Sequence, residues 1–268
     1  MLYNARRRNI QIGNTDMDYV SFGTGKKSLV MITGLDDGLF SMRGKAIPLA
    51  VVYRIFASEY TVYVFGRKNK LSKDYSIRDM AKDQADVMRR LGIHKADVIG
   101  VSQGGMIAQY LAIDHPESVH KLVLAVTMPE QNELVRNAVN TWIRLALAKD
   151  YKNLLIDSAE KAYSEKRLKI YRPLYPLLGL AKKPENFERF LIQAEACLKH
   201  DASADLHKIS CPTLVLGGKQ DKIVGADASR ELARAIKSSK LYIYKDYGHC
   251  VYEEARDFNA RILHFLHK

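Results

Sequence analysis

The sequence predicts an α/β protein: a mostly parallel central sheet with helices on both faces, interrupted by one inserted helical segment. Three observations carry that prediction. Beyond about residue 60, strand-like and helix-like patterns alternate strictly. The strand-like blocks SLVMI, VIGV, LVLAV and TLVLG are apolar throughout and rich in β-branched residues, as strands covered on both faces should be. Between Met128 and Leu206 strands vanish while helical spacing continues.

Each element follows in order. NIQIGN and MDYVSFG alternate in polarity and read as strands before the third, SLVMITG. GTGKKS, between the second and third, lacks the four-residue glycine spacing of a phosphate loop and reads as a hairpin turn. TVYVFG is a strand, SIRDMAKDQADVMRRLG a helix, ADVIGVS a strand, GGMIAQYLAIDHP a helix and KLVLAVT a strand. The insertion holds the helical segments NELVRNAVNTWIRLALAK, KNLLIDSAEKAYS and ENFERFLIQAEACLKH. Pro129, Pro173, Pro176 and Pro184 punctuate it, the last placed to begin its final helix. Alternation resumes with CPTLVLGG, ASRELARAIKSS, KLYIYKD and EEARDFNARILHFLHK. The expected organisation is a core of residues 1–127 and 207–268 with a helical cap over 128–206.

At 268 residues, 47% hydrophobic and 27% charged, the chain can bury a large core, and it shows no repeat or low-complexity tract. No apolar run reaches the roughly 20 residues of a membrane helix, and no apolar block follows the basic start MLYNARRRNIQIG, so neither a membrane span nor a secretory leader is expected. Cys197, Cys211 and Cys250 are scattered, odd in number and without a CxxC pair, which argues against a disulfide framework or zinc site and for a reducing cytoplasm. The net charge of +12 raises the question of polyanions. Arg43, Lys45, Arg54, Arg67, Lys68, Lys70 and Lys73 fall within one stretch against the single acid Glu59, but no nucleic-acid module accompanies them. A solvated basic face is expected, with no nucleic-acid partner.

Chemistry enters at Gly100-Val101-Ser102-Gln103-Gly104, a G-x-S-x-G between a strand and a helix. A hydroxyl is a poor nucleophile unless a base takes its proton, the base is oriented, and fixed donors meet the developing oxyanion. Asp221 follows one predicted buried strand and His249 the next, so both share with Ser102 the carboxyl edge of the sheet, where catalytic groups of open α/β sheets gather. A helix-capping serine and a surface histidine are the plain alternatives. His94, His115, His120, His200, His207, His264 and His267 fall at helix ends or in exposed segments.

With its order of serine, acid and histidine, the chain resembles the α/β-hydrolase family over roughly Asn9 to Leu266. The resemblance implies Ser102 as nucleophile, His249 as general base and then acid, and Asp221 as the group that orients the imidazole. It implies oxyanion donors in the backbone N–H groups of Gln103 and Leu35. Glu130 is the alternative acid, at a position some members use. Two departures stand out: Thr33 replaces the histidine common before the glycine of the Thr33–Gly38 loop, and Phe65–Asn69 lacks the usual aspartate and glycines, leaving a basic loop expected near the site mouth. Asp36 and Asp37 would oppose an oxyanion, so their side chains are expected to point away.

The expected activity is hydrolysis of a small or medium carboxylic ester through an acyl-enzyme, with no cofactor or metal. The cap would form an apolar acyl pocket from Trp142, Leu147, Tyr175 and Leu178, and Arg67, Lys68 and Lys70 would favour an anionic substrate. Thioester, lactone or carbon–carbon hydrolysis and acyl transfer use the same triad, and a ligand receptor without turnover shares the fold. Cys250 beside His249 is expected to serve packing, with possible sensitivity of the site to alkylation.

Overall fold

The computed structural model describes residues 2–40, 42–180 and 183–268. Eight strands form one sheet: β1 Arg6–Ile12, β2 Thr15–Phe22, β3 Lys27–Ile32, β4 Tyr60–Lys68, β5 Ala96–Val101, β6 Val119–Ala125, β7 Thr213–Gly218 and β8 Ser239–Tyr244. Their order is β1-β2-β4-β3-β5-β6-β7-β8. The β1/β2 and β2/β4 pairs are antiparallel and every later pair is parallel. The mostly parallel sheet is therefore as the alternation predicts.

The order corrects the reading of GTGKKS. β4 lies between β2 and β3, so the segment is a crossover and the hairpin turn falls at Gly13-Asn14, between the paired Ile12 and Thr15. The crossover runs against the approach to β4, with Thr24 N–H donating to Ala57 O at 3.0 Å and Lys27 N–H to Glu59 O at 3.3 Å. A side chain at Gly25 would collide with the Glu59 backbone, which accounts for a glycine there.

Helices cover both faces, as expected where parallel strands are buried on both sides. On one side α2 (Ile77–Arg90) packs on α3 (Gln103–Asp114), and α8 (Ala226–Ala235) packs on β7 and β8. Ser76 starts α2 with a reciprocal cap, its side chain accepting from Asp79 N–H while the Asp79 carboxylate accepts from Ser76 N–H; such caps are worth about 1 kcal/mol. On the other side lie α1 (Ala46–Val52) and, after the short α9 (Val251–Glu254), α10 (Phe258–His267), whose Phe258, Ile262 and Leu266 join Val20, Leu29, Val62 and Ile99 in a second apolar core.

Between β6 and β7 the described elements are helical apart from one isolated bridge. They are α4 (Glu133–Leu147), α5 (Tyr151–Ala162), α6 (Glu165–Tyr171), a 3₁₀ stretch Arg172–Leu180, α7 (Glu188–Leu198) and a 3₁₀ turn Leu206–Lys208. Pro184 does not open the last helix. Asn186 Oδ1 accepts from Glu188 N–H at 3.2 Å, closing a turn ahead of it. The two ends of the insertion meet: Gln131 N–H donates to His200 O and Ala202 N–H to Pro129 O. His200, expected to be exposed or at a helix end, is buried there against the edge of Tyr110, and burial pushes its pKa down to about 4. No described helix is long and apolar enough to cross a membrane.

Candidate active site

β5, β7 and β8 are neighbours or near neighbours in the sheet, and the loops at their carboxyl ends deliver Ser102, Asp221 and His249 to one place. Ser102 sits between β5 and α3 at φ 55°, ψ −122°, a left-handed conformation that a side chain rarely adopts. The turn holds because its flanks are glycine. A Cβ at Gly100 would lie 2.4 Å from Gly104 O, and one at Gly104 would lie 2.0 Å from Ile32 O. The Ser102 side chain makes no capping bond to α3. Its Oγ instead lies 2.9 Å from His249 Nε2, which removes the helix-cap alternative in this conformation.

His249 Nδ1 lies 2.8 Å from Asp221 Oδ2. An ionised carboxylate only accepts, so Nδ1 carries the proton and Nε2 is left to accept from the Ser102 hydroxyl. The other carboxylate oxygen of Asp221 accepts from Ile223 N–H at 2.8 Å and Val224 N–H at 3.0 Å, which fixes the plane in which it meets the ring. Asp221 and His249 are 6% and 5% exposed, so neither bond competes freely with water. Glu130 is exposed, and its backbone pairs with Asp201 in an isolated antiparallel β-bridge.

The His249 loop is tied to the helical insertion. Cys250 N–H donates to Ala162 O at 2.8 Å, Ser164 N–H to Glu254 Oε1 at 3.0 Å, and Tyr163 OH to Glu253 Oε2 at 2.7 Å. Cys250 is buried, and burial pushes its thiol well above the usual range, so it is held as the weakly nucleophilic protonated form rather than as an alkylation-prone thiolate.

Leu35 and Gln103 each begin a helical turn, so neither N–H has an acceptor within its own turn. Gly34 brings the first turn against Ser102, since a Cβ there would lie 3.5 Å from Ser102 Cβ. Behind both stands Arg67. The expected basic loop is instead the end of β4, and Arg67 is only 1% exposed. Its guanidinium donates to Thr33 O at 2.6 Å and Gln103 Oε1 at 3.0 Å. Gln103 Nε2 in turn donates to Gln193 O of α7 at 2.9 Å. One buried cation thus ties Thr33, two residues before Leu35, to the side chain of Gln103. Isolated residue reading missed this, because a basic run gives no sign of which member turns inward.

Asp37 points away from the nucleophile, as expected. Its Oδ2 accepts from Arg189 at 2.8 Å, Gln193 Nε2 at 3.3 Å and Arg67 N–H at 3.3 Å. Asp36 lines both the cavity at Ser102 and a second cavity of about 170 Å³. It keeps accessible surface although protein atoms surround it, and burial raises its pKa, with Lys45 opposing and Asp37 adding to the shift.

The cavity at Ser102 measures about 310 Å³ and is mainly apolar, lined by Leu35, Leu39, Phe40, Leu154, Leu155, Phe190 and Ile223 among others. Of the four residues expected there only Trp142 lines it, held by an Nε1–H bond to Asp157 Oδ2 at 2.8 Å. Leu147 is 66% exposed at the end of α4. Tyr175 donates to Glu160 Oε1 at 3.0 Å, and Leu178 lies farther along the 3₁₀ stretch, so neither reaches the cavity. Lys68 pairs with Asp83 at 3.1 Å, and neither it nor Lys70 lines the cavity. Among the described lining residues the carboxyls are Asp36 and Glu253, and there is no lysine or arginine.

Comparison with known proteins gives concordant findings. The family model described as alpha/beta hydrolase fold matches residues 27–256. A 2-hydroxy-6-oxononadienedioate/2-hydroxy-6-oxononatrienedioate hydrolase of Klebsiella pneumoniae is 28% identical, covering 91% of this chain and 88% of the relative. Epoxide hydrolase 1 of Caenorhabditis elegans is 24% identical, covering 97% of this chain and 70% of the relative. The crystal structure of MGS-M2, an alpha/beta hydrolase enzyme from a Medee basin deep-sea metagenome library, superposes with a TM-score of 0.85 at 18% identity, covering 97% of this chain and 98% of that one.

Proposed function

This chain belongs to the α/β-hydrolase fold family, and we propose that it is a serine hydrolase acting on small or medium carboxylic esters through an acyl-enzyme. The observation that carries this reading is the continuous relay from Ser102 Oγ through His249 to Asp221, both bonds under 3 Å and the ring almost fully buried. Ser102 attacks the ester carbonyl as its proton passes to His249 Nε2. The carbonyl oxygen becomes an oxyanion facing the N–H groups of Leu35 and Gln103, while Asp221 stabilises the imidazolium. His249 then gives its proton to the departing alcohol. In the second half a water loses a proton to the same nitrogen, adds to the acyl carbon and releases the carboxylic acid and free Ser102.

Wild-type protein should react with a fluorophosphonate probe and turn over p-nitrophenyl butyrate, and Ser102→Ala should do neither. Equal labelling of the two proteins would sink the proposal. The helices of the insertion supply Trp142, Leu154, Leu155 and Phe190 to the cavity, which supports reading it as a cap that shapes the acyl site.

The cavity favours a neutral acyl group. The relative from Klebsiella pneumoniae is named for a dioate, a dicarboxylate. Two carboxylates call for cationic partners, whereas here Asp36 and Glu253 face the space and Arg67 is committed elsewhere. At neutral pH, p-nitrophenyl hexanoate should therefore exceed mono-p-nitrophenyl adipate in kcat/KM by about tenfold or more, and Asp36→Asn should narrow the gap. Burial raises the pKa of both carboxyls. They become neutral as pH falls, so the discrimination should fade toward acid and grow toward alkaline pH. Parallel pH profiles for the two esters would show that these carboxyls do not set it.

A further inference from the structure

The 3₁₀ stretch Arg172–Leu180 follows directly on α6. A 3₁₀ helix has three residues per turn, so residues three apart stand in line. Leu174, Leu177 and Leu180 have that spacing and are 49%, 59% and 83% exposed, and Ile170, four residues earlier, is 59% exposed. The other side is anchored. Tyr175 and Leu178, also three apart, are half-buried, the Tyr175 hydroxyl bonds Glu160, and at the end of α6 Tyr171 packs edge-on against Tyr163 with ring centroids 5.0 Å apart. The result is an apolar stripe held facing outward.

Charge accompanies it. From residue 161 to 183 the chain carries seven basic residues and one acid, Glu165. Lys166 is exposed on the same side of α6 as Ile170, four residues on, Lys169 is exposed beside it, and Lys183 is exposed beyond the far end. Pro173 and Pro176 lack N–H groups, which reduces the number of backbone donors left unpaired if this segment leaves water.

We propose that the outward face of residues 166–180 is a docking surface for an anionic lipid bilayer. Apolar side chains flanked by lysines on a polar body are the pattern of an element that lies in the headgroup layer, where leucines enter the acyl boundary and lysines meet lipid phosphates. A second copy of the chain fits less well, because a two-fold contact through this face would set Lys166 and Lys169 against their own counterparts. The docked orientation would hold the helical insertion, and with it the cavity at Ser102, close to the lipid phase.

Co-sedimentation of the full chain with phosphatidylcholine vesicles, with and without about 30 mol% phosphatidylglycerol, tests this without any substrate. Binding to the anionic vesicles should be about tenfold tighter or more and should weaken with salt. Leu174→Ser/Leu177→Ser/Leu180→Ser should lower it by about tenfold, since these side chains are already exposed and the fold does not depend on them. Lys166→Gln/Lys169→Gln should reduce the preference for anionic over neutral vesicles. The proposal is overturned if wild type binds neither vesicle, if binding is indifferent to the leucine substitutions, or if sedimentation equilibrium shows a dimer that the leucine variant dissolves while vesicles bind neither form. Because binding is read without turnover, its failure is separate from failure of the esterase reading.

Discussion

Alanine at Ser102 or at His249 should lower kcat for a p-nitrophenyl ester by about a million-fold, and the double variant should be no slower than either single one. The reason is that neither group acts alone. Ser102 Oγ holds its proton at neutral pH unless Nε2 removes it, and an imidazole without the hydroxyl has no nucleophile to activate. Asp221→Asn follows a different route to a loss of about ten-thousand-fold. An amide at that position can present a donor to the ring, which then loses the tautomer that leaves Nε2 free. Ile223 and Val224 N–H groups would still hold the side chain in place, so the loss would be electronic rather than positional. Steady-state kinetics on the three single variants and the double variant decide the matter. Losses that multiply would mean that two independent groups, not a relay, drive the reaction.

Arg67→Met should lower kcat by about a hundredfold with little change in KM, and should cost about 2–4 kcal/mol of stability. The guanidinium, 1% exposed, donates to Thr33 O and to Oε1 of the buried Gln103, so methionine takes the donor from both acceptors. The catalytic loss is argued from position: Thr33 precedes the turn that begins at Leu35, and Gln103 carries the second candidate donor. Arg67→Lys should rescue little, since both acceptors are met by one terminal nitrogen, Nη2, and a lysine ammonium ends one bond closer to the backbone and falls short of them. Urea unfolding and a kcat-versus-KM comparison separate the two effects. A destabilised enzyme with unchanged kcat would show that the network serves the fold and not the oxyanion site.

The parts of this molecule that the sequence announces are those set by short-range chemistry. Periodicity predicts the strands of the sheet because burial on both faces leaves no polar positions, and the close approach at Gly100 and Gly104 makes G-x-S-x-G a readable sign of the turn at Ser102. Asp221 and His249 are legible because each lies just beyond a strand end, and the sheet brings such ends together. The errors concern choices among residues of similar character. Whether GTGKKS closes a hairpin depends on β4 entering between β2 and β3, a pairing made more than thirty residues away in sequence. Arg67 and Lys68 look equivalent in the chain, yet one is sealed under the oxyanion loop and the other pairs with Asp83 near the surface. Leucine at 147 and leucine at 154 likewise differ only in which side of its helix each occupies, and the insertion's packing decides that.

The ties from Ala162, Tyr163 and Ser164 to the segment 250–254 bear on how this enzyme could be re-engineered. Grafting a foreign helical insertion at residues 128 and 206 would also remove the acceptor that steadies the backbone next to the imidazole. Chimeras for new substrate range should therefore keep the joint between α5 and α6 native, along with α7, whose Arg189 and Gln193 hold Asp37 and Gln103, and exchange α4, or else transplant the terminal loop together with its partner.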